Sequence, residues 1–391
     1  MIPPLMLMKT TGRQTLSDLA CLFLKLGSIA FGGPAAHISM MEEEIVRRRK
    51  WLSSEEFLDL LGATHLIPGP NSTELAIHIG LRRGGWLGLL IAGICFILPA
   101  AIIVTAIAWI YVRFGHLPKA IGILYGIKPV IIAIIIQALW NLGHSAIKNR
   151  LLAMVGLVAV GCLFCGMNEL VVLFGAGMFM VTIQSLRNSH YLRLNTWFSG
   201  IALPLPLLGA VSIVSTTIVP LSQSSLFLFF LKVGSVLFGS GYVLLAFLRA
   251  DLVDRWHWLT ESQLMDAIAV GQFTPGPLLT TATFIGYILS GIPGAVLATI
   301  GIFLPAFFFV AISGPLVPQL RKSPAAATFL DGVNVASLAM MATVTWQLGS
   351  ATFINWTSVS ITLISSLCLF VLRINSSWLV LIGAIFGLLV S

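Results

Sequence analysis

The stretch Leu24-Lys25-Leu26-Gly27-Ser28-Ile29-Ala30-Phe31-Gly32 returns, 207 positions on, as Leu231-Lys232-Val233-Gly234-Ser235-Val236-Leu237-Phe238-Gly239. At the same offset Trp51-Leu52 meets Trp258-Leu259, Asp59 meets Asp266, and Pro68-Gly69-Pro70 meets Pro275-Gly276-Pro277. At an offset of 206, Leu98-Pro99-Ala100 meets Leu304-Pro305-Ala306, Gly126 meets Gly332, and Trp140 meets Trp346. An ordered series of matches over more than a hundred residues, slipping by one position, implies a duplicated unit. The expected organisation is a first membrane repeat over 14–190, a linking transmembrane helix over 191–221 and a second repeat over 222–391.

Bilayer is the solvent that this composition requires. Of 391 residues, 58% are hydrophobic and 9% charged, against roughly 25% charged in soluble domains. The runs Trp86 to Tyr111, Ala120 to Trp140, Leu151 to Met167 and Leu170 to Leu186 approach or exceed the ~20 apolar residues of a bilayer span. Leu16 to Ala30 carries Lys25 in its middle and lacks a small-residue cleavage site, so it does not read as a cleaved signal peptide. The fold class expected is an all-α integral membrane protein.

The formal net charge of +8 needs no nucleic-acid partner, because Lys and Arg gather at span ends, where they set orientation. In the first unit, Arg47-Arg48-Arg49-Lys50, Arg82-Arg83, Lys148 and Arg150 fall on one face. In the second, the matching positions are Asp254-Arg255-Trp256-His257, Ile288-Leu289 and the uncharged stretch around Ile354, and Arg321-Lys322 mark the other face. The positive bias switches sides, as an inverted repeat requires. Glu42, Glu43, Glu44, Glu55 and Glu56, with the basic run Arg47 to Lys50, read as an amphipathic stretch with a structural role.

Glycine and proline interrupt each unit at two places. Phe31-Gly32-Gly33-Pro34 and Ile67-Pro68-Gly69-Pro70 break the first; Phe238-Gly239-Ser240-Gly241 and Thr274-Pro275-Gly276-Pro277 break the second. An unbroken helix would need none of these residues, so each break is expected to be the tip of a re-entrant helical hairpin. Non-helical backbone survives at membrane depth only inside protein or beside a wet cavity. The helices that begin after the breaks offer free N–H groups and a positive end to an anion. Asn71, Ser72 and Thr73 after the first Pro-Gly-Pro, and Thr280 after the second, could cap those helices or touch a ligand.

Lys25 and Lys232 are matched charges in apolar sequence, where an unpaired lysine costs at least ~2.5 kcal/mol at a span centre. Pairing with an acidic neighbour or snorkelling would account for them; so would a pair of lysines neutralising a dianion, which is the reading carried forward. Glu74 and His78, four apart on one helix face, and His65 before the break, match Thr281, Ile285 and Gln272 in the second unit. Titratable groups in one half only are candidates for a proton relay, with a solvated helix end beside Arg82 as the plain alternative.

Cys21, Cys95, Cys162, Cys165 and Cys368 all lie in apolar stretches, where thiols pack as small hydrophobes. Cys162 and Cys165 form a C-x-x-C with no second pair or histidine near in sequence, so no metal site or cofactor is expected. There is no H-E-x-x-H, and Ser72 near Glu74 and His78 makes no triad; an enzyme is not expected.

At these residues the sequence resembles the chromate ion transporter family in its long form of two fused halves. The resemblance rests on Phe31-Gly32-Gly33-Pro34-Ala35-Ala36-His37, Trp51-Leu52, Phe57-Leu58-Asp59, Leu66-Ile67-Pro68-Gly69-Pro70-Asn71-Ser72-Thr73-Glu74 and Phe96-Ile97-Leu98-Pro99-Ala100. The second half departs from it where Gly241 replaces Pro34 and Leu278 replaces Asn71. The resemblance implies a multi-pass inner-membrane carrier that exports chromate, confers resistance to it, accepts sulfate as a mimic and draws on the proton gradient. A transporter or channel for another small anion shares every physical argument above. Assembly as a homodimer is left open.

Overall fold

Helices fill the apolar runs, and glycine, proline and capping residues mark their ends. The computed structural model describes residues 13–31, 33–115, 117–187, 219–238, 241–321, 323–353 and 355–390. In the first repeat these form α1 Arg13–Ile29, α2 Gly33–Glu42 with a π-helical continuation Glu43–Arg48, α3 Ser54–Thr64 and α4 Asn71–Phe114. They continue as α5 Pro118–Ala146, α6 Arg150–Phe164 and α7 Glu169–Arg187. The second repeat contains α8 Gln223–Val236, α9 Leu244–Phe247 with a π-helical continuation Leu248–Arg255, α10 Glu261–Phe273 and α11 Thr281–Arg321. It ends with α12 Pro324–Thr352, α13 Trp356–Phe370 and α14 Ser376–Val390. The expected linking helix over 191–221 lies, apart from its last residues, outside the described residues.

Local detail repeats with the sequence. A capping box starts α3 at Ser53 and Glu56, and another starts α10 at Thr260 and Gln263; each satisfies amide donors that a helix start leaves open. Lys50 and His257 both take positive φ, 51° and 52°, turning the chain ahead of Trp51 and Trp258. Both π-helical continuations precede these turns.

The helix α4 is two arms. Gly84 and Gly85 leave helical geometry, Gly85 at φ 58° and ψ −150°, and a Cβ on Gly80 would collide with the Gly88 carbonyl and the Ala92 side chain. Residues eight and twelve apart on a straight helix cannot touch, so the chain folds back there. Arm 71–83 is ~20 Å long and arm 86–114 ~43 Å; the second exceeds the ~30 Å hydrocarbon layer and the first does not. The helix α11 repeats this at Ser290 and Gly291, with Gly286 against Gly294 and Ala298. Five helices among the described residues are long and apolar enough to cross a membrane. With large hydrophobics such as Leu157, Trp346 and Trp356 exposed, this is a multi-pass membrane protein.

The arm 86–114 meets the short helices of the two repeats at opposite ends. Near its start, Leu16 and Leu19 of α1 pack on Gly84, and Arg82 pairs with Glu56 of α3. Near its end, Tyr111 donates to Asp266 of α10, 2.8 Å away. Those two places are ~38 Å apart along the arm. The short helices of the first repeat therefore open at one end of the molecule, and those of the second at the other.

Each repeat finishes its packing on the other. A Cβ on Gly126 of α5 would strike the Gly383 carbonyl of α14, and one on Gly387 would strike Gly122. The same contact with the repeats exchanged joins Gly332 of α12 to Ala176 and Gly177 of α7. Glycine lets backbones approach to this distance, the packing that favours helix association in lipid. Between α13 and α5, Thr362 donates to the Pro129 carbonyl at 3.1 Å, and Gln137 donates to the Leu369 carbonyl at 3.1 Å. Ion pairs Lys128–Asp266, Lys148–Asp331 and Arg255–Glu169 also cross between repeats. One hydrophobic cluster runs through both, from Val104 and Ile131 to Phe284 and Ala336.

Candidate anion site

The four breaks of the sequence meet in pairs at the centre. Gly69, at φ 144°, donates its amide to the Leu237 carbonyl at 2.7 Å. Gly276, at φ 95°, donates to the Ala30 carbonyl at 2.9 Å. Leu237 and Ala30 are the residues where α8 and α1 give way to the other pair of breaks. Each Pro-Gly-Pro turn thus holds the break of the opposite repeat, and the two hydrogen bonds are equivalent under the duplication. Prolines on either side remove donors and leave the glycine amide as the one that reaches across. A Cβ on Gly69 would run into the Glu74 carboxyl, and one on Gly276 would meet Ala100.

Gly33, at φ 79°, starts α2, and its Cα faces the Tyr242 hydroxyl across the repeats. Pro34 lies in the first turn of α2. Gly241 opens a 3-10 turn over Gly241–Val243. The predicted site residues Gly32, Gly239 and Ser240 lie outside the described residues.

Behind these breaks the first repeat is polar. Buried His37 donates from Nε2 to the Ala30 carbonyl at 3.0 Å, and its Nδ1 accepts from the Ser72 hydroxyl at 3.4 Å. The Ala30 carbonyl therefore serves both Gly276 and His37. Asn71 donates through Nδ2 to His65 Nδ1 at 3.1 Å. Thr73 and Glu74 donate their amides to the Pro70 carbonyl at 2.8 and 3.0 Å, which leaves the amides of Asn71 and Ser72 as donors at the start of arm 71–83. Glu74 is 0% exposed, and neither carboxyl oxygen has a hydrogen-bond partner among the described residues; nor has the Thr73 hydroxyl. One turn on, His78 donates from Nε2 to Ser313 of α11 at 3.4 Å, the Ser313 proton being taken by the Val310 carbonyl at 2.8 Å.

The second turn has little of this chemistry. Leu278–Thr280 forms a 3-10 turn rather than an α-helical start. Thr280 donates to the Pro277 carbonyl at 2.8 Å, and Thr281 to Leu278 at 2.9 Å. Tyr242 donates to Gln272 Oε1 at 3.4 Å, and Gln272 Nε2 has no partner among the described residues. Leu244 and Leu279 occupy the places of His37 and Ser72.

Lys25 and Lys232 each carry a carboxylate. Lys25 bonds Glu44 at 2.8 Å and Lys232 bonds Asp251 at 2.8 Å, both over a separation of 19 residues. These pairs are equivalent under the offset of 207, and so are their arginines: Arg48 contacts Glu44 and Arg255 contacts Asp251. Acidic pairing, the plainer of the two sequence readings, is present at both lysines. The side chains stay 49% and 36% exposed. Glu44, expected in an amphipathic stretch with a structural role, is buried and paired with Lys25, Arg48 and Arg49. The repeated spacing of Lys25–Glu44 and Lys232–Asp251 was the signal for both carboxylates. His37 gave no such signal, because its partners Ala30 and Ser72 are brought to it by the fold. All five cysteines are free, and among the described residues no histidine, cysteine or carboxylate group is set to hold a metal.

The family profile described as "Chromate transporter" matches this chain twice, over residues 17–181 and 224–388. The chain belongs to the chromate transporter family. Its relatives include the chromate transport protein of Cupriavidus metallidurans, 34% identical over 330 residues that cover 84% of this chain and 81% of the relative. The chromate transport protein of Pseudomonas aeruginosa is 31% identical over 339 residues, 86% of this chain and 81% of its own. An uncharacterised transporter of Methanocaldococcus jannaschii is 27% identical over 381 residues, 94% and 92% of the two chains. No solved structure matches the chain. Each family match contains one Pro-Gly-Pro turn, so the crossed junction at Gly69 and Gly276 is built from equivalent parts of two copies.

Proposed function

We propose that this protein carries a tetrahedral oxyanion, chromate foremost and sulfate as its mimic, through the junction where the two Pro-Gly-Pro turns cross. The observation that carries the reading is the reciprocal pair Gly69–Leu237 and Gly276–Ala30 beside the start of arm 71–83. Broken backbone is brought there from both repeats, and a helix start with open amides and partial positive charge faces it. In this reading α1–α2 and α3 with arm 71–83 are re-entrant hairpins from one membrane face, and their second-repeat counterparts enter from the other, as in carriers with inverted repeats. The half-exposed ammonium groups of Lys25 and Lys232, fixed by Glu44 and Asp251, flank the path with positive charge.

The membrane is the inner membrane and the direction is outward. An interior-negative potential favours anion exit by about 2.3 kcal/mol per charge per 100 mV, so the electrical part of the proton-motive force suffices to expel a dianion. The chromate transport proteins among its relatives support that substrate.

The test is flux in proteoliposomes that hold the purified full chain, with chromate, sulfate and a monocarboxylate as substrates. Chromate or sulfate movement that follows an imposed potential is the expected result. If neither oxyanion moves while the monocarboxylate does, the substrate is wrong. Flux that never accumulates the anion against its own gradient would make the protein a channel.

A further inference from the structure

The Glu74 carboxyl stands where an anion would bind. It is fully buried on the first turn of arm 71–83, its oxygens lie against the Gly69 backbone, and neither has a partner among the described residues. A carboxylate offers about four acceptor sites and no donor; a buried one left unmatched is costly. It also sits at the positive end of the arm whose open amides belong to Asn71 and Ser72. A charged carboxylate there would cancel the attraction of that helix end and repel a dianion at close range in a medium of low dielectric.

We infer that Glu74 carries a proton that binds together with the oxyanion, so that each dianion crosses with one proton. The inference rests on the anion reading of this junction. The protonated carboxyl removes a like charge and adds an O–H donor beside the amides. The second repeat has nothing equivalent, since Thr281 fills the place of Glu74 and its hydroxyl is taken by Leu278, so one proton per anion is the count.

Among the described residues no hydrogen bond or ion pair joins Glu74 to another ionisable group. On its own helix Glu74 is followed by His78, Arg82 and Arg83; the turn holds His65, and α2 contributes His37. On α1 stand Asp18 and Lys25, the latter paired with Glu44. The acidic groups of α3 are Glu55, Glu56, which pairs with Arg82, and Asp59, while Asp266 of α10 is held by Tyr111 and Lys128. Among its described side chains α11 brings Ser313 and Tyr287 and no carboxylate or basic group. A sodium ion is disfavoured at the site by the positive helix end.

Linkage makes the consequence measurable. If the proton strengthens anion binding, the anion strengthens proton binding by the same factor. Anion affinity then rises as pH falls, by up to about tenfold per pH unit where one proton is taken up per anion, and fades as pH rises. The complex with a dianion keeps a net charge of −1, so an interior-negative potential still drives it outward.

Calorimetry on the purified full chain, with sulfate and then chromate as titrant in two buffers of different ionisation enthalpy, counts the protons exchanged. Across a pH series the wild type should take up as much as one proton per anion where the anion-free carboxyl is ionised, with affinity that rises toward acid pH, and none at pH low enough that the free carboxyl already carries its proton. Glu74→Gln should bind the anion with an affinity that no longer follows pH and without proton uptake. Zero exchange throughout the pH series, or proton release at any pH, in the wild type overturns the inference and needs no variant. Binding whose pH response survives in Glu74→Gln, or that requires sodium, overturns it as well, while leaving the anion reading intact. Failure of both anions to bind at any pH overturns the anion reading and the inference together.

Discussion

Around the first Pro-Gly-Pro turn stand His65, Asn71, Ser72, Glu74 and His78; around the second, the same places hold Gln272, Leu278, Leu279, Thr281 and Ile285. The backbones agree closely enough to exchange equivalent hydrogen bonds, Gly69 to Leu237 and Gly276 to Ala30. Their chemistry does not agree. Duplication conserved what the junction needs mechanically, namely glycine at positive φ, flanking prolines and a carbonyl at the opposite break. The ionisable groups, costly inside a membrane, stand at these places on one copy, while the second keeps only the neutral Gln272 and Thr281. On the proposed reading the first turn meets the ion, and the second holds the first in place.

The comparison breaks first at the glycines. Gly69→Ala and Gly276→Ala each force a side chain into positive φ and into occupied space, a cost of about 2–6 kcal/mol from strain and overpacking. Both variants should lose anion flux and melt earlier in detergent. A Gly276→Ala protein that transports normally would show that the junction is not mechanically symmetric.

Next come the lysines. Lys232→Met leaves Asp251, 3% exposed in its side chain, with Arg255 alone. Loss of a fully buried pair costs 3–5 kcal/mol; with Lys232 about one-third exposed, we expect about 2–4 kcal/mol. Lys25→Met should cost less, because Glu44 keeps Arg48 and Arg49. Thermal melts order the two. Lys232→Met with Asp251→Asn should restore stability, and its flux then separates the two sequence readings: a stable double variant that transports makes the lysine structural, and one that is stable and inactive places the ammonium on the anion path.

His37→Leu gives the first repeat the side chain found at Leu244 and removes the bonds to Ala30 and Ser72. The expected loss is about 1–3 kcal/mol with reduced flux, whereas Leu244→Met should be nearly silent in both assays. Arg82→Ala is the smallest change. Its partner Glu56 is half exposed, as it is itself, so stability should stay within about 1 kcal/mol of wild type. A larger drop in either assay would mean that this pair does more than decorate the start of α3.

The breaks, the duplication and the reversal of positive charge were all legible in the chain, because each is a local pattern of residue types. Glu74 and His78 were legible as a pair on one helix face. The carboxylates that hold Lys25 and Lys232 were missed, although Glu44 and Asp251 follow the lysines at the same distance in both copies and that repeated spacing could have found them. His37 was hidden, because a single buried histidine declares its role only when the Ala30 carbonyl and the Ser72 hydroxyl are beside it.

By itself the sequence determined a helical membrane protein made of two copies of one unit, with helices broken at Gly33, Gly69, Gly241 and Gly276. Apolar length, missing donors and glycine's freedom at positive φ act over a few residues and need no partner to be read. Only the tertiary structure decided that α5 would close on α14 and α12 on α7, and that each Pro-Gly-Pro turn would grip the other repeat. Those choices join residues some two hundred positions apart. They depend on shape, on which glycine faces leave room for a neighbouring backbone, and that information exists only once the helices lie side by side.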